Sequence, residues 1–103
     1  MSPGLHVDKG IFYLTGSLNF KTANALCEQG ISAIIANPES SLLFDLAGVI
    51  YSDSAGLALL LEWTRLAARL KRQIMFKNLP SQMISMAKLC ELFHVINLEQ
   101  EPQ

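Results

Sequence analysis

The stretch between residues 42 and 63 most constrains how this chain can fold, because it joins a buried strand to a long apolar helix. The apolar run Leu42-Leu43-Phe44 ends at Asp45 and is too short for a helix, so it predicts a buried strand. Small and polar residues follow and predict a loop. Asp53 and Ser54 then stand directly before the apolar-rich segment, at the place where helix N-caps are found. A strand, a loop and a helix are expected here in that order.

The start of this helix is the candidate functional position. Backbone N–H groups in the first turn of a helix have no partner within the helix and carry partial positive charge. The hydroxyl of Ser54 could therefore cap the helix, contact a partner protein or carry a phosphate. From the spacing alone, the cap is the simplest interpretation. Asp53 could itself cap the helix, or it could hold the shape of the loop beside the hydroxyl.

The other apolar segments alternate between strand and helix patterns. Two short runs, Leu5–Val7 and Ile11–Leu14, flank the turn sequence Asp8-Lys9-Gly10 and predict a hairpin that ends at Gly16. The later elements are a helix capped by Asn19 and stopped at Asn37-Pro38, a strand over Gln73–Lys77, a helix from Ser81 to about Leu92, and a short strand over Val95–Leu98.

This order, β-β-α-β-α-β-α-β, predicts an α/β fold. Strands that alternate with helices favour a mostly parallel sheet, here of four to five strands, with right-handed crossovers and about three main helices. The opening hairpin adds an antiparallel edge. A chain of 103 residues fits one domain, residues 1–103.

Composition excludes several classes of protein. Half of the residues are apolar and 17% are charged, which excludes a disordered chain. The net charge of −1 provides no general basic field for nucleic acid or an anionic membrane. The longest apolar run, Leu57–Leu61, is far shorter than the roughly 20 residues that span a bilayer, and the N-terminus lacks the pattern of a secretory signal. Cys27 and Cys90 are expected to be reduced core thiols of a cytoplasmic protein.

The central stretch resembles the STAS domain family, which includes anti-anti-sigma factors. The matching residues are Asp45-Leu46, Val49 and the run Asp53-Ser54-Ala55-Gly56-Leu57. The runs Gly56–Leu61 and Met86–Leu89 are most similar to one branch, the small STAS subunit of the Mla-type intermembrane phospholipid transporter. The resemblance covers roughly residues 5 to 98, the expected core of the domain.

The resemblance implies a function by binding, without catalysis, cofactor or metal. The implied partner is the ATPase subunit of an ABC-type transporter that maintains outer-membrane lipid asymmetry, met at the inner face of the cytoplasmic membrane. An alternative within the family is an anti-anti-sigma factor that binds an anti-sigma serine kinase and is regulated by phosphorylation of Ser54. The implied contact residues at the helix start are Asp53, Ser54, Ala55, Gly56 and Leu57.

Helical spacing suggests a further contact surface on the same helix. One broad arc suits packing against the sheet: Leu59, Leu60, Trp63, Leu66, Ala67 and Leu70. Beside it lies a second apolar line, formed by Leu57, Leu61, Thr64 and Ala68. Neighbouring helices could cover this line. The resemblance favours a partner surface instead, because the family docks partners through this helix start.

Enzymatic alternatives find little support in the sequence. Ser54 lacks the glycine two positions earlier that a nucleophile elbow requires. A serine hydrolase would need His6 or His94, which are far from Ser54 in sequence. The glycine-rich patterns that hold nucleotide phosphates are missing as well.

Overall fold

The computed structural model describes residues 4–92 and residue 96. The elements are β1 (Gly4–Asp8), β2 (Ile11–Leu18), α1 (Phe20–Ala36), β3 (Ser41–Ser52), α2 (Ser54–Arg69), β4 (Gln73–Lys77) and α3 (Ser81–Leu89). The predicted α/β class and three main helices are confirmed. The predicted last strand, Val95–Leu98, lies outside the described residues except for Ile96.

The four described strands form one mixed sheet in the order β1-β2-β3-β4. β1 and β2 are antiparallel, whereas β2–β3 and β3–β4 are parallel, so the predicted hairpin at the sheet edge is confirmed. Asp8 pairs with Ile11, which leaves Lys9 and Gly10 as a two-residue turn. Both turn residues have positive φ, 51° and 80°, as a type I′ hairpin requires.

Two strands are longer than the sequence predicts. β2 continues past Gly16 to Leu18, and β3 continues past Asp45 to Ser52, so the predicted ends at Gly16 and Asp45 are wrong. The register between β2 and β3 shifts twice, and each shift adds one extra residue to β3. Such bulges interrupt the alternation of apolar and polar residues by which a strand is recognised in a sequence. Pairing with β2 therefore extends β3 through residues that locally resemble a loop.

One face of the sheet carries the core. The buried strand side chains are Phe12, Leu14, Leu18, Leu42, Phe44, Leu46, Val49, Ile74 and Phe76, and all three helices contribute to the same cluster. Phe44 lies at its centre, with ring centroids 4.6 Å from Phe12, 5.0 Å from Trp63 and 5.5 Å from Phe76. Five of the six residues predicted for the sheet-facing arc of α2 are buried; the sixth, Leu70, is exposed because the helix ends before it.

The spacing between α1 and α2 is set by a tight contact. A Cβ on Gly30 would lie 2.2 Å from the indole ring of Trp63, so only glycine allows the two helices to approach this closely. The indole Nε1 donates to the carbonyl of Cys27 at 3.3 Å. Because α1 and α2 pack directly against each other, their first residues lie side by side at one edge of the sheet.

α3 ends earlier than predicted, at Leu89 instead of about Leu92. Cys90 follows the last helical residue and is exposed, so its predicted place in the core is wrong. Cys27 is half-buried, and both thiols are free. Burial raises the pKa of the Cys27 thiol, and the nearby carboxylates of Glu62 and Glu28 raise it further. This thiol is therefore a poor nucleophile.

Candidate functional site

The ends of β2 and β3 bring the starts of α1 and α2 together. The backbone N–H of Asp53, the residue after β3, donates to the carbonyl of Leu18, the last residue of β2, at 3.0 Å, so the two strand ends lie together. Asn19 follows β2 and caps α1, and Asp53 follows β3 and caps α2. Both helices thus begin at the carboxyl edge of the parallel strands, the edge where ligands and partners commonly bind in α/β folds.

Asp53 is the cap of α2, and Ser54 is the first residue of the helix proper. The carboxylate Oδ1 of Asp53 accepts from the backbone N–H of Ala55 at 2.8 Å. The interpretation of Ser54 as the cap is therefore wrong, and the capping role considered for Asp53 is correct. At α1 the same task is performed by Asn19, whose side chain accepts from the backbone of Lys21 and Thr22.

The Ser54 side chain does not cap α2, because Asp53 does so. The Ser54 side chain is exposed, and within the described part of the chain its hydroxyl makes no hydrogen bond. The hydroxyl stands on the first turn of α2, beside the partial positive charge of the helix N-terminus. It is therefore accessible to a partner protein or to a modifying enzyme.

Gly56 allows α2 to begin directly against the strand ends. A Cβ on Gly56 would lie 2.0 Å from Ser52 Oγ and 2.9 Å from Leu18 Cβ. Ser52 is itself buried, with its hydroxyl donating to the carbonyl of Asp53 at 3.0 Å and its N–H donating to Gln82 Oε1 at 3.2 Å. The Gln82 contact links the start of α3 to this edge. Gly56 is buried, so its visible role is close packing and it offers no side chain to a partner.

Leu57 does not belong to an accessible surface. Its side chain is 3% exposed and lies in the core, so its predicted contact with a partner is wrong for the side chain. Sequence spacing misplaced it because the core arc of α2 is wider at its first turn, where the helix meets the strand ends. Ala55 is half-buried.

The other members of the second apolar line remain at the surface to different degrees. Leu61 packs partly against the core, Thr64 is half-buried with Oγ1 donating to the carbonyl of Leu60 at 2.8 Å, and Ala68 is exposed. Glu62 lies near Cys27 on α1, so helical geometry places Thr64 and Ala68 on the flank of α2 that is turned away from α1. The second apolar line therefore loses Leu57 to the core. Its remaining members, Leu61, Thr64 and Ala68, continue along α2 away from Ser54.

Three large apolar side chains at the same edge were missed in the sequence. Phe20, the first residue of α1, is 75% exposed; Ile50 and Tyr51, near the end of β3, are 77% and 46% exposed. Ile50 is the extra residue of the second bulge, since Gly16 pairs with Val49 and Ser17 with Tyr51. The sequence places Ile50 and Tyr51 in the predicted loop before α2, and it places Phe20 in the predicted first helix without indicating whether its side chain is buried or exposed. Bulky apolar residues next to two N-cap positions are the signal that could have identified them.

Asp45, which matches the resemblance, has a structural role away from this edge. Its Oδ1 accepts from the backbone N–H of Ala47 at 2.9 Å and from Asn78 Nδ2 at 3.0 Å. Lys77 Nζ lies 3.9 Å from Oδ2. These contacts hold the first bulge of β3 and the end of β4.

The residues needed for a hydrolase are not brought together by the described structure. His6 lies on β1, where its ring faces Tyr13 at 6.5 Å, and β2 separates that strand from β3. His94 lies outside the described residues. Within residues 4–92, side chains of histidine, cysteine, aspartate and glutamate form no group of three that could hold a metal ion. None of the helices described here is long and apolar enough to cross a membrane.

Solved structures of similar fold come from two functional settings. A chain of the Acinetobacter MlaFEDB complex in an ATP-bound conformation is 23% identical, with a TM-score of 0.82 over 93% of this chain and 99% of that chain. The unphosphorylated anti-sigma factor antagonist SpoIIAA is 14% identical, with a TM-score of 0.73 over 97% and 90%. An anti-sigma factor antagonist from Mycobacterium paratuberculosis is 21% identical, with a TM-score of 0.68 over 97% and 86%. At these identities the likeness shows the fold alone.

Among curated proteins, no sequence matches this chain. A family model does match, and it covers residues 4–100, nearly the whole chain. The match includes both strand ends, both helix starts and the Ser54 position. By this match the chain belongs to the STAS family described as Mlab, STAS domain.

Proposed function

We propose that this protein is a non-catalytic STAS subunit that binds and supports the ATPase of an ABC-type intermembrane phospholipid transporter, a system that maintains outer-membrane lipid asymmetry. The protein would act in the cytoplasm, held at the inner face of the cytoplasmic membrane by its partner. Two comparisons support the transporter: the family is described as Mlab, STAS domain, and a chain of similar fold belongs to the ATP-bound MlaFEDB complex.

The exposed Ser54 hydroxyl is the observation that carries this proposal. Asp53 caps α2, so the helix does not need the Ser54 side chain. The hydroxyl stands free at the surface, at the edge where α1 and α2 begin. A small polar group that is accessible and has no hydrogen-bond partner in the described part of the chain suits a close protein contact, in which it can donate and accept hydrogen bonds.

A substitution series at the helix start tests this contact. In the Ser54→Glu variant, the fold should survive because a negative charge at a helix N-terminus is tolerated or favoured, by roughly 0.3–1 kcal/mol. Binding to the purified ATPase subunit should be lost, because a carboxylate brings a second negative charge beside Asp53 into the contact. Calorimetric titration and thermal melting on the same preparations measure both properties.

Two further variants separate binding from stability. Ser54→Ala should change the free energy of unfolding by less than about 0.5 kcal/mol, whereas Asp53→Ala should cost about 1 kcal/mol through loss of the cap. Ser32→Glu places the same charge on an exposed position of α1 and should bind like the wild type. Unchanged ATPase binding by a folded Ser54→Glu variant would remove Ser54 from the interface.

An anti-anti-sigma factor is the second candidate, supported by the accessible Ser54 hydroxyl and by the fold shared with SpoIIAA. In that role Ser54 would carry a phosphate that repels the partner, since the Asp53 carboxylate lies next to it in sequence. Incubation with an anti-sigma serine kinase and ATP, followed by mass spectrometry, distinguishes the candidates. Stoichiometric phosphate on Ser54, absent from the Ser54→Ala variant, together with failure to bind the ATPase subunit, would replace the transporter proposal.

A further inference from the structure

The outer edge of β1 has backbone hydrogen-bonding groups that the described sheet does not use. Among the described strands, β1 pairs only with β2, over five residues and without a bulge. In such an antiparallel pair, hydrogen-bonded and non-hydrogen-bonded positions alternate, and the residues flanking a two-residue turn are hydrogen-bonded to each other. Asp8 and Ile11 flank the turn here, so the backbone groups of Leu5 and Val7 point outward.

An apolar groove runs along the same edge, between β1 and α1. Leu5 is paired with the buried Leu14. Val7 is paired with the buried Phe12, so both side chains of β1 lie on the face of the sheet that carries the helices. Two open hollows of about 650 Å³ and about 470 Å³ adjoin them, and Val7 and Ala33 line both. We call the two hollows together the β1–α1 groove.

The dimensions of the β1–α1 groove suit one added strand. On the helix side its lining extends from Ala25 to Ala36, which corresponds to about 16 Å along the helix axis. The strand opposite, with five residues, is about 17 Å long. Because the alanine side chains are short, space remains between the helix and the sheet edge that apolar side chains of an added strand can fill.

We propose that the β1–α1 groove is a further binding site, which takes an extended segment of a partner protein as an additional antiparallel strand. Main-chain hydrogen bonds to Leu5 and Val7 hold the segment, and its alternate apolar side chains enter the groove. β2 separates this edge from β3 and from the Ser54 position that follows β3. The inference therefore goes beyond the proposed function and does not depend on it.

Charge indicates the chemistry of the bound segment. Among the described residues that line the two hollows, Glu28 and Glu39 are acidic and none is basic. Both carboxylates are exposed, and within residues 4–92 neither forms an ion pair. Complementary charge requires that the segment carry lysine or arginine beside its apolar residues. A second copy of this chain fits less well, because it would bring the same two carboxylates to the contact, and an anionic lipid surface would be repelled.

A synthetic peptide tests the site on the full chain. The probe is acetyl-Arg-Ser-Val-Ser-Val-Ser-Arg-amide, whose arginines and valines share one face when the peptide is extended. NMR titration should show saturable binding, with the largest shifts at residues 4–8 and 25–36 and slower exchange of the Leu5 and Val7 amides. Ser54→Glu should bind the peptide like the wild type. Absence of saturable binding overturns the proposal.

A matched pair of methylated peptides tests strand addition itself. In the antiparallel strand, the valine N–H groups face β1 and the serine N–H groups between them face away. Methylation of both valine nitrogens should weaken the dissociation constant at least about tenfold, whereas methylation of two serine nitrogens should have little effect. Tolerated methylation of the valines overturns the proposal. This comparison uses the wild-type protein, so it does not depend on whether any variant folds.

Charge reversal tests the complementarity. The double variant Glu28→Lys, Glu39→Lys should bind the peptide about tenfold more weakly and should favour a peptide in which glutamate replaces both arginines. Glu91→Lys, the same change at the end of α3, should bind like the wild type. Thermal melting checks that the variants fold. Unchanged binding by the folded double variant overturns the assignment of a basic segment. A wild-type dimer with protected Leu5 and Val7 amides would assign the edge to a second copy and overturn the proposal.

Discussion

At the residue scale, neighbouring residues at the start of α2 have different structural roles. Asp53 caps the helix, Gly56 permits the helix to pack against Ser52 and Leu18, and Leu57 enters the core. Ser54 is the member of this group whose side chain is exposed and, among residues 4–92, makes no hydrogen bond. The sequence predicts that residues 53–57 form one contact surface. In the structure most of these residues stabilise the fold, and Ser54 contributes the accessible hydroxyl.

Gly56→Ala should destabilise the protein by about 1–3 kcal/mol, because the new methyl group overlaps Ser52 Oγ and Leu18 Cβ. This loss should exceed the gain of about 1 kcal/mol that alanine brings to a helix. Urea unfolding measures the difference. Ala58→Gly, at an exposed position of the same helix, gives the propensity effect alone. A Gly56→Ala variant that is more stable than the wild type would show that the strand ends can move apart freely.

At the scale of the elements, the carboxyl ends of α2 and α3 each have a residue with positive φ, and in neither case is that residue glycine. Lys71 after α2 and Glu91 after α3 both adopt positive φ, 57° and 58°. In each case the next residue donates its N–H back into the helix: Arg72 to the carbonyl of Ala67 and Leu92 to the carbonyl of Ala87, both at 2.8 Å. These are Schellman ends, in which glycine is the usual residue with positive φ. Each residue with a side chain there pays a conformational cost.

Replacing Lys71 by glycine should raise the free energy of unfolding by about 0.5–1 kcal/mol, because the strain relieved at positive φ exceeds the extra conformational entropy that glycine loses on folding. Lys71→Ala removes the same charge but keeps a Cβ, so it should give no such gain. Thermal and urea unfolding of the three proteins provide the measurement. Equal stability of the glycine and alanine variants would mean that charge, and not backbone conformation, governs this helix end.

At the scale of the whole molecule, the core is built on one face of the sheet around Phe44. β2 and β3 occupy the middle of the sheet, and β1 lies at its edge, pairing among the described strands only with β2. Both helix starts, including Ser54, stand at the carboxyl edge of the central strands. The two central strands thus support the surface for which a partner is proposed.

Hydrogen exchange should follow this arrangement. Amides in the middle of β2 and β3, such as those of Leu14 and Phe44, should exchange slowest, because they open only when most of the core unfolds. Amides of β1, such as that of His6, should exchange faster through local opening of the edge. Exchange read residue by residue by NMR measures this order. Protection in β1 equal to that in β3 would show that another surface covers the edge strand.

The sequence alone determined the parts of this protein that depend on local chemistry. Helical spacing and polar caps located α1 and α2, the Asp8-Lys9-Gly10 turn predicted the hairpin, and alternation of elements predicted the α/β class. Each of these features depends on residues close together in the chain. The family followed from a short motif whose residues could be recognised without coordinates.

Only the tertiary structure decided where each residue of that motif lies. β3 extends to Ser52 because β2 pairs with it across two bulges, which no local pattern shows. Leu57 is buried because α2 begins in close contact with the strand ends at Gly56, and Asp53 caps the helix in place of Ser54. The starts of α1 and α2 are brought to the same edge only when β2 and β3 lie side by side. Contacts between residues distant in the chain set these positions, and their energies depend on the packed structure as a whole.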